Sequence, residues 1–319
     1  MKKLPLIAVA ATLALAGCAA PSPTVDDGTL KVVASTNVYG SIAEAIGGEH
    51  VTVTSIISSA AQDPHSYEAS AQDQLALSKA DLVIENGGGY DPFIDTLLEA
   101  ASSDAPVLTA SEASGLLDED HAHGEEDADG GEADDAAHEI EDGHDHIEGF
   151  NEHVWYSPHG VSHVAEELAR QLSELDPDNA ADYTANLEAF SVQIEALETA
   201  AEALETDGLG VAITEPVPLY LLEAAGLENR TPEAFSEAIE EGTDVAPATL
   251  RDTLAIIDSG DVALLAYNAQ TASSETEELR AAAEEAGIPV VEFTETLPDG
   301  TDYVSWMTDN LNAIAAALR

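Results

Sequence analysis

Only nine of the 319 residues are Lys or Arg, against 63 Asp and Glu, so the formal net charge is −54. A chain this short of cations cannot neutralise phosphates in number, which excludes nucleic acid as a partner. It also excludes attachment to anionic lipid through basic residues. There is one cysteine, Cys18, so neither an internal disulfide nor a thiolate metal cluster is available. Aromatics are only 5 %, which leaves much of the packing to Ala-rich helices. Histidine is missing from the whole chain after His163. A metal site shared between the two halves must therefore take carboxylates from the second. The apolar stretch at the N-terminus, Leu4 to Leu15, is shorter than the roughly 20 residues needed to span a bilayer.

What is present is a foldable chain. Hydrophobic residues make up 45 %, too many for a disordered acidic polymer. The length suits one large domain or two medium ones. At the N-terminus, Lys2 and Lys3 precede the apolar stretch, as in a secretory signal. Leu15-Ala16-Gly17-Cys18 then resembles a bacterial lipobox, which implies a signal peptide over 1–17, lipidation of Cys18 and a lipidated tether over 18–29. The expected location is the extracytoplasmic face of the cell membrane, held by the lipid anchor.

Strand-like runs at Leu30–Ser35, Val51–Ile57, Asp81–Glu85 and Pro106–Thr109 alternate with helical patterns near 38–47, 69–79 and 91–102. The second half repeats the alternation, with strands at 209–214, 262–267 and 289–293 and helices at 217–226, 247–258, 274–286 and 302–318. Between the halves, Tyr183, Leu187, Phe190, Ile194, Leu197 and Leu204 recur at helical spacing. The predicted fold class is α/β: two lobes, each a mostly parallel sheet flanked by helices, joined by one long rigid α-helix. The boundaries are an N-terminal lobe over 30–175, the linking helix over 176–206 and a C-terminal lobe over 207–319.

Residues 117–152 break the pattern. They hold sixteen Asp and Glu, no Lys or Arg, and five histidines: His121, His123, His138, His144 and His146. No apolar period survives there, so the segment reads as a solvated insertion in the first lobe. Imidazoles amid carboxylates suit loose metal capture, which makes it an accessory metal loop.

Ligands of open α/β sheets gather beyond the carboxyl ends of strands. Four residues lie after predicted strands or in the loops that follow: His65 in Asp63-Pro64-His65-Ser66-Tyr67, His153 in His153-Val154-Trp155, Glu215 in Thr214-Glu215-Pro216, and Glu295 in Thr294-Glu295-Thr296. Two imidazoles and two carboxylates suit one divalent ion. Each, taken alone, also reads as an ordinary surface residue. His159 and His163, four apart on a predicted helix, have the spacing of a zinc-binding pair but read best as a polar helix start. His50 reads as a surface loop residue.

The Asp-Pro-His-Ser-Tyr and His-Val-Trp segments resemble the signature of the zinc/manganese-binding lipoproteins of ABC importers, the zinc-uptake subgroup of solute-binding proteins. The resemblance covers residues 30–319. It implies that His65 and His153 supply the first two ligands, with Glu215 at a third position that is His in many zinc binders and Glu in many manganese binders. Glu295 stands where the family usually has Asp. The segment after His-Val-Trp also departs, reading Tyr156-Ser157-Pro158. The resemblance implies a receptor that captures Zn2+ between two lobes as a transported ligand and passes it to an ABC permease driven by a cytoplasmic ATPase. The receptor is expected to be a monomer and not an enzyme. The alternatives are Mn2+ or Fe2+ at the same site, a surface metal buffer or adhesin, and a secreted zinc hydrolase. The last is disfavoured by the absence of HExxH and G-x-S-x-G motifs.

Overall fold

The computed structural model describes residues 28–59, 61–62, 64, 67–117, 147, 149–204 and 206–319. Cys18, His65 and the five loop histidines lie outside the described residues.

Strand β1 (Leu30–Thr36) leads into helix α1 (Asn37–Gly47), followed by β2 (Val51–Ile57), α2 (Ala71–Leu77), β3 (Leu82–Glu85), α3 (Phe93–Ala101), β4 (Val107–Thr109) and the short α4 (Ala110–Ala113). Two long helices follow, α5 (Pro158–Leu175) and α6 (Ala180–Glu202). The second half runs β5 (Gly210–Ile213), α7 (Leu219–Ala224), β6 (Glu228–Asn229), α8 (Glu233–Glu240), α9 (Pro247–Ser259), β7 (Val262–Asn268), α10 (Ser274–Ala286), β8 (Val290–Phe293) and α11 (Tyr303–Ala317). The reading of the sequence leaves 228–246 without an element, so β6 and α8 are additions.

Both sheets are four-stranded and parallel throughout, in the orders β2-β1-β3-β4 and β6-β5-β7-β8. The strands explain why a parallel sheet forms. β3 and β5 are buried at every position, as expected where helices cover both faces. Alternate residues sort to the two faces. Val32 and Ala34 of β1 join the large central core, while Val33 joins an outer cluster with Ile57, Leu77 and Ile94. In the second sheet Val211, Ile213, Leu264 and Ala266 face the centre, and Ala212 and Leu265 face Phe235, Ile257 and Leu279.

The central core is continuous between the two sheets. It includes α1, α5, α6 and α11 as well as strands of both halves. Helix α6 contributes one stripe, with Tyr183, Phe190, Ile194, Leu197 and Ala201 buried. It is shorter than the sequence pattern predicts, because Pro177–Asn179 form a separate turn of 3-10 helix before it. At about 1.5 Å per residue its 23 residues span roughly 35 Å. His50 is not a free loop residue. Its Nε2 lies 2.9 Å from Asp182 Oδ2, and its ring meets Tyr183 edge-on, so the 3-10 turn after α1 is pinned to α6.

Ser157 starts α5 by accepting a hydrogen bond from Gly160 N at 3.0 Å, with Pro158 in the first turn. This cap fixes the direction of the segment just before it, which holds His153. Among the described residues no helix is long and apolar enough to cross a membrane.

Candidate metal centre

Strand order reverses at β1/β3 in the first sheet and at β5/β7 in the second. Such switch points leave crevices beyond the strand ends. The chain beyond β5 and β8, and the last residue of β7, supply the second half's polar groups. Glu215 lies two residues past β5, Asn268 ends β7, and Glu295 lies two residues past β8; their exposures are 3 %, 2 % and 1 %. Asn268 ties the other two together. Its Nδ2 donates to Glu215 Oε2 at 2.5 Å and to Glu295 Oε1 at 2.8 Å. Thr214 Oγ1 accepts from Asn268 N at 2.9 Å, and Asn268 Oδ1 accepts from Gln270 N at 3.0 Å, so backbone and amide are both held.

The first half supplies His153, which is fully buried. Its Nδ1 lies 2.8 Å from Asn151 Oδ1. That oxygen only accepts, so Nδ1 carries the proton and Nε2 keeps its lone pair when the ring is neutral. The ring also packs edge-on against Tyr90 and Trp155 at centroid distances of 5.7 and 5.1 Å. Tyr90 completes the link across the halves by donating its hydroxyl to Glu295 Oε2 at 3.1 Å. Tyr156 OH donates to Thr294 O at 2.7 Å, and Asn151 Nδ2 to Pro216 O at 3.0 Å. Each bond joins the first half to a residue adjacent to Glu295 or Glu215.

Tyr90 reaches its position through a tight loop. Gly87 and Gly88 have φ of +71° and +67°, where L residues with a Cβ are strained. A Cβ on Gly87 would stand 2.4 Å from Thr109 Cγ2. Asp91 closes the loop by accepting from Asn86 N and Gly87 N at 2.7 and 2.8 Å. Burial raises the Asp91 carboxyl to about 6 despite these donors.

Three predicted residues, His153, Glu215 and Glu295, are thus brought together. Two others were not anticipated. By composition Glu152 falls in the solvated insertion, yet it is 2 % exposed, and Phe150, two residues before it, is also buried. Glu240, the last residue of α8, places Oε1 3.7 Å from His153 Nδ1. One ligand atom from each of Glu152, His153 and Glu240 lies within 4.8 Å of the others. Burial first, then the negative charges of Glu152, Glu215 and Glu295, push the Glu240 carboxyl up to about 10. Signals for both existed. Phe235, Ala238 and Ile239 repeat at helical spacing after Pro232, and Glu152 directly precedes a candidate ligand.

The donor set fits a divalent cation. Crowded, buried carboxylates repel one another and gain by taking up positive charge. The arginine ion pairs lie elsewhere: Arg170 with Glu167 and Glu174, Arg230 with Glu228, Arg251 with Asp252, and Arg280 with Glu284 and Glu292. A cation held by imidazole and carboxylate would supply the missing charge.

The family model for zinc-uptake complex component A, periplasmic (ZnuA), matches residues 32–317. The manganese-binding lipoprotein MntA of Halalkalibacterium halodurans is 30 % identical over 194 residues, covering 60 % of this chain and 56 % of that protein. The match therefore spans little more than half of that relative. The manganese ABC transporter substrate-binding lipoprotein scaA of Streptococcus gordonii is 24 % identical over 328 residues, covering 97 % and 96 %. Among solved structures, the periplasmic zinc binding protein TroA from Treponema pallidum superposes with a TM-score of 0.70 at 20 % identity, over 91 % of this chain and 99 % of that one. At that identity the likeness is one of fold.

Proposed function

The chain belongs to the ZnuA family, and on that premise we propose that it is the extracytoplasmic receptor of a metal ABC importer, capturing Zn2+ between its two lobes. The observation that carries this reading is the shared burial of His153 from the first half with Glu215 and Glu295 from the second. In the proposed site these three and His65 hold the ion. The mechanism is capture, not catalysis: the ion exchanges its water for fixed donors, and the carboxylates offset its charge. Asn268, Asn151 and Tyr90 hold the donors in register before the ion arrives, which lowers the ordering cost of binding.

Zinc leads because an imidazole-containing site binds it more tightly than manganese in the general affinity order. The five loop histidines, in the proposed role of accessory capture, favour the same ion. A second reading, Mn2+, is favoured by one observation, the excess of carboxylates around His153, since oxygen donors suit that harder ion. In either case the receptor is tethered through lipidated Cys18, acts as a monomer, and hands its cargo to a permease coupled to a cytoplasmic ATPase.

The test is a calorimetric zinc titration of the intact chain and of His153→Ala, Glu215→Gln and Glu295→Gln. Each substitution is expected to weaken the tight site at least tenfold. Unchanged tight binding in all three would reject the site.

A further inference from the structure

One motif plays no part in the cleft. His159 and His163 occupy adjacent turns of α5 with ring centroids 4.7 Å apart. Two imidazoles on one tetrahedral zinc, with Zn–N bonds of about 2.0–2.1 Å, stand roughly 5 Å apart centre to centre. The observed centroid spacing is compatible with joint coordination.

The surroundings match what a ligating imidazole needs on its other nitrogen. His163 Nδ1 lies 3.0 Å from Ser114 O. A carbonyl can only accept, so Nδ1 carries the proton and the neutral ring offers its Nε2 lone pair. His159 Nδ1 lies 4.0 Å from Glu198 Oε1 of α6, beyond hydrogen-bond reach but close enough for the carboxylate to offset the charge of a nearby cation. Metal-binding histidines characteristically direct one nitrogen at a carbonyl or carboxylate and use the other for the ion. The side chains of His159 and Glu198 are 58 % and 39 % exposed, so an ion in solution can reach them. None of Ser114, Glu198, His159 and His163 takes part in the cleft.

We propose that His159 and His163 form a second divalent-cation site, separate from the cleft, taking an imidazole-preferring ion of the zinc class through their Nε2 atoms, with Glu198 as an outer carboxylate behind His159. The pair sits in the first turns of α5, where the helix dipole opposes a cation. Glu198 counters that field. The balance makes this a weaker site than the buried cleft, suited to holding zinc at the surface. Its donors are two nitrogens at most among these residues, which leaves coordination positions for water.

The test uses the full chain with its five loop histidines replaced by asparagine, titrated with Zn2+ alone. Imidazole 15N spectra follow each ring. The expected result is that, beyond the equivalent that fills the cleft, the Nε2 resonances of His159 and His163 move together to metal-bound shifts. His159→Asn should abolish that response at His163 and remove one zinc from the count. His159 is exposed, so the substitution leaves the fold intact, whereas His163→Asn also breaks the Ser114 contact and serves only as support. Glu198→Gln should weaken the site by about tenfold. In a His153→Ala background the response should persist, which separates this site from the cleft. Unmoved Nε2 resonances, or a zinc count unaffected by His159→Asn, would overturn the proposal.

Discussion

His153 Nδ1 lies 2.8 Å from Asn151 Oδ1, and the amide nitrogen of the same Asn151 reaches Pro216 O at 3.0 Å, next to Glu215. One asparagine thus sets the tautomer of a first-half donor and the position of a second-half one. Asn151→Ala should lower zinc affinity by about 10- to 100-fold, the usual cost of losing such an outer partner. A competition titration against a chelator of known affinity checks this. Unaltered affinity would mean that packing against Tyr90 and Trp155 alone orients the ring.

Asn268 donates to both Glu215 and Glu295. Asn268→Ala removes both donors and leaves two buried carboxylates facing each other. The metal-free chain should lose about 1–3 kcal/mol. Bound zinc relieves the repulsion, so the zinc-induced rise in Tm should exceed that of the parent chain. Thermal unfolding with and without zinc measures both; equal rises would contradict the electrostatic role.

Glu240 gives a pH dependence of definite sign. Its carboxyl goes from an ordinary 4.5 to about 10 in the folded chain. Between those values the native state keeps a proton that the unfolded state has lost. Its contribution to stability is therefore complete below about pH 4.5 and fades as pH rises towards 10. Metal-free Glu240→Gln cannot ionise there and should lose less stability across that window. Urea unfolding at a series of pH values checks it, with parallel curves as the contrary outcome.

The net charge of −54 predicts a strong response to salt. The screening length falls from about 30 Å at 0.01 M to about 3 Å at 1 M. Added NaCl should then raise Tm by relieving self-repulsion. A flat or falling Tm would show that local ion pairs outweigh the overall field.

Ile194 on α6 is 1 % exposed and belongs to the core shared by both sheets. Ile194→Ala should cost about 2–5 kcal/mol. Because that core is continuous, the loss should appear as a downward shift of one cooperative transition. Two separate transitions would show that the halves unfold independently.

The sequence and the structure meet most closely at the strand ends. Glu215 and Glu295 are legible because a buried apolar run followed by an acid marks the carboxyl end of a parallel strand. The alternation of strands and helices is legible for the same reason, as period-two and period-3.6 patterns. Strand order is not, since β1 pairs with both β2 and β3 through contacts that no local pattern encodes. Helix α8 is only eight residues long, and its two turns of apolar residues are diluted by glutamates. Glu240 was hidden with it. Glu152 was hidden by its acidic neighbours, because composition describes a segment and burial is decided residue by residue. Asn268 obeys the same strand-end rule, which holds for amides as well as for charged groups.

The central claim is that the cleft of His153, Glu215 and Glu295 holds one divalent ion and prefers zinc. The most direct test is competitive equilibrium dialysis of the full chain, with the five loop histidines and His159 replaced by asparagine, against zinc and manganese together in excess. The account predicts about one zinc per chain, almost no manganese, and loss of that zinc in Glu215→Gln. Manganese retained in its place would favour the second reading of the cargo. No ion retained by the intact cleft would contradict the account itself.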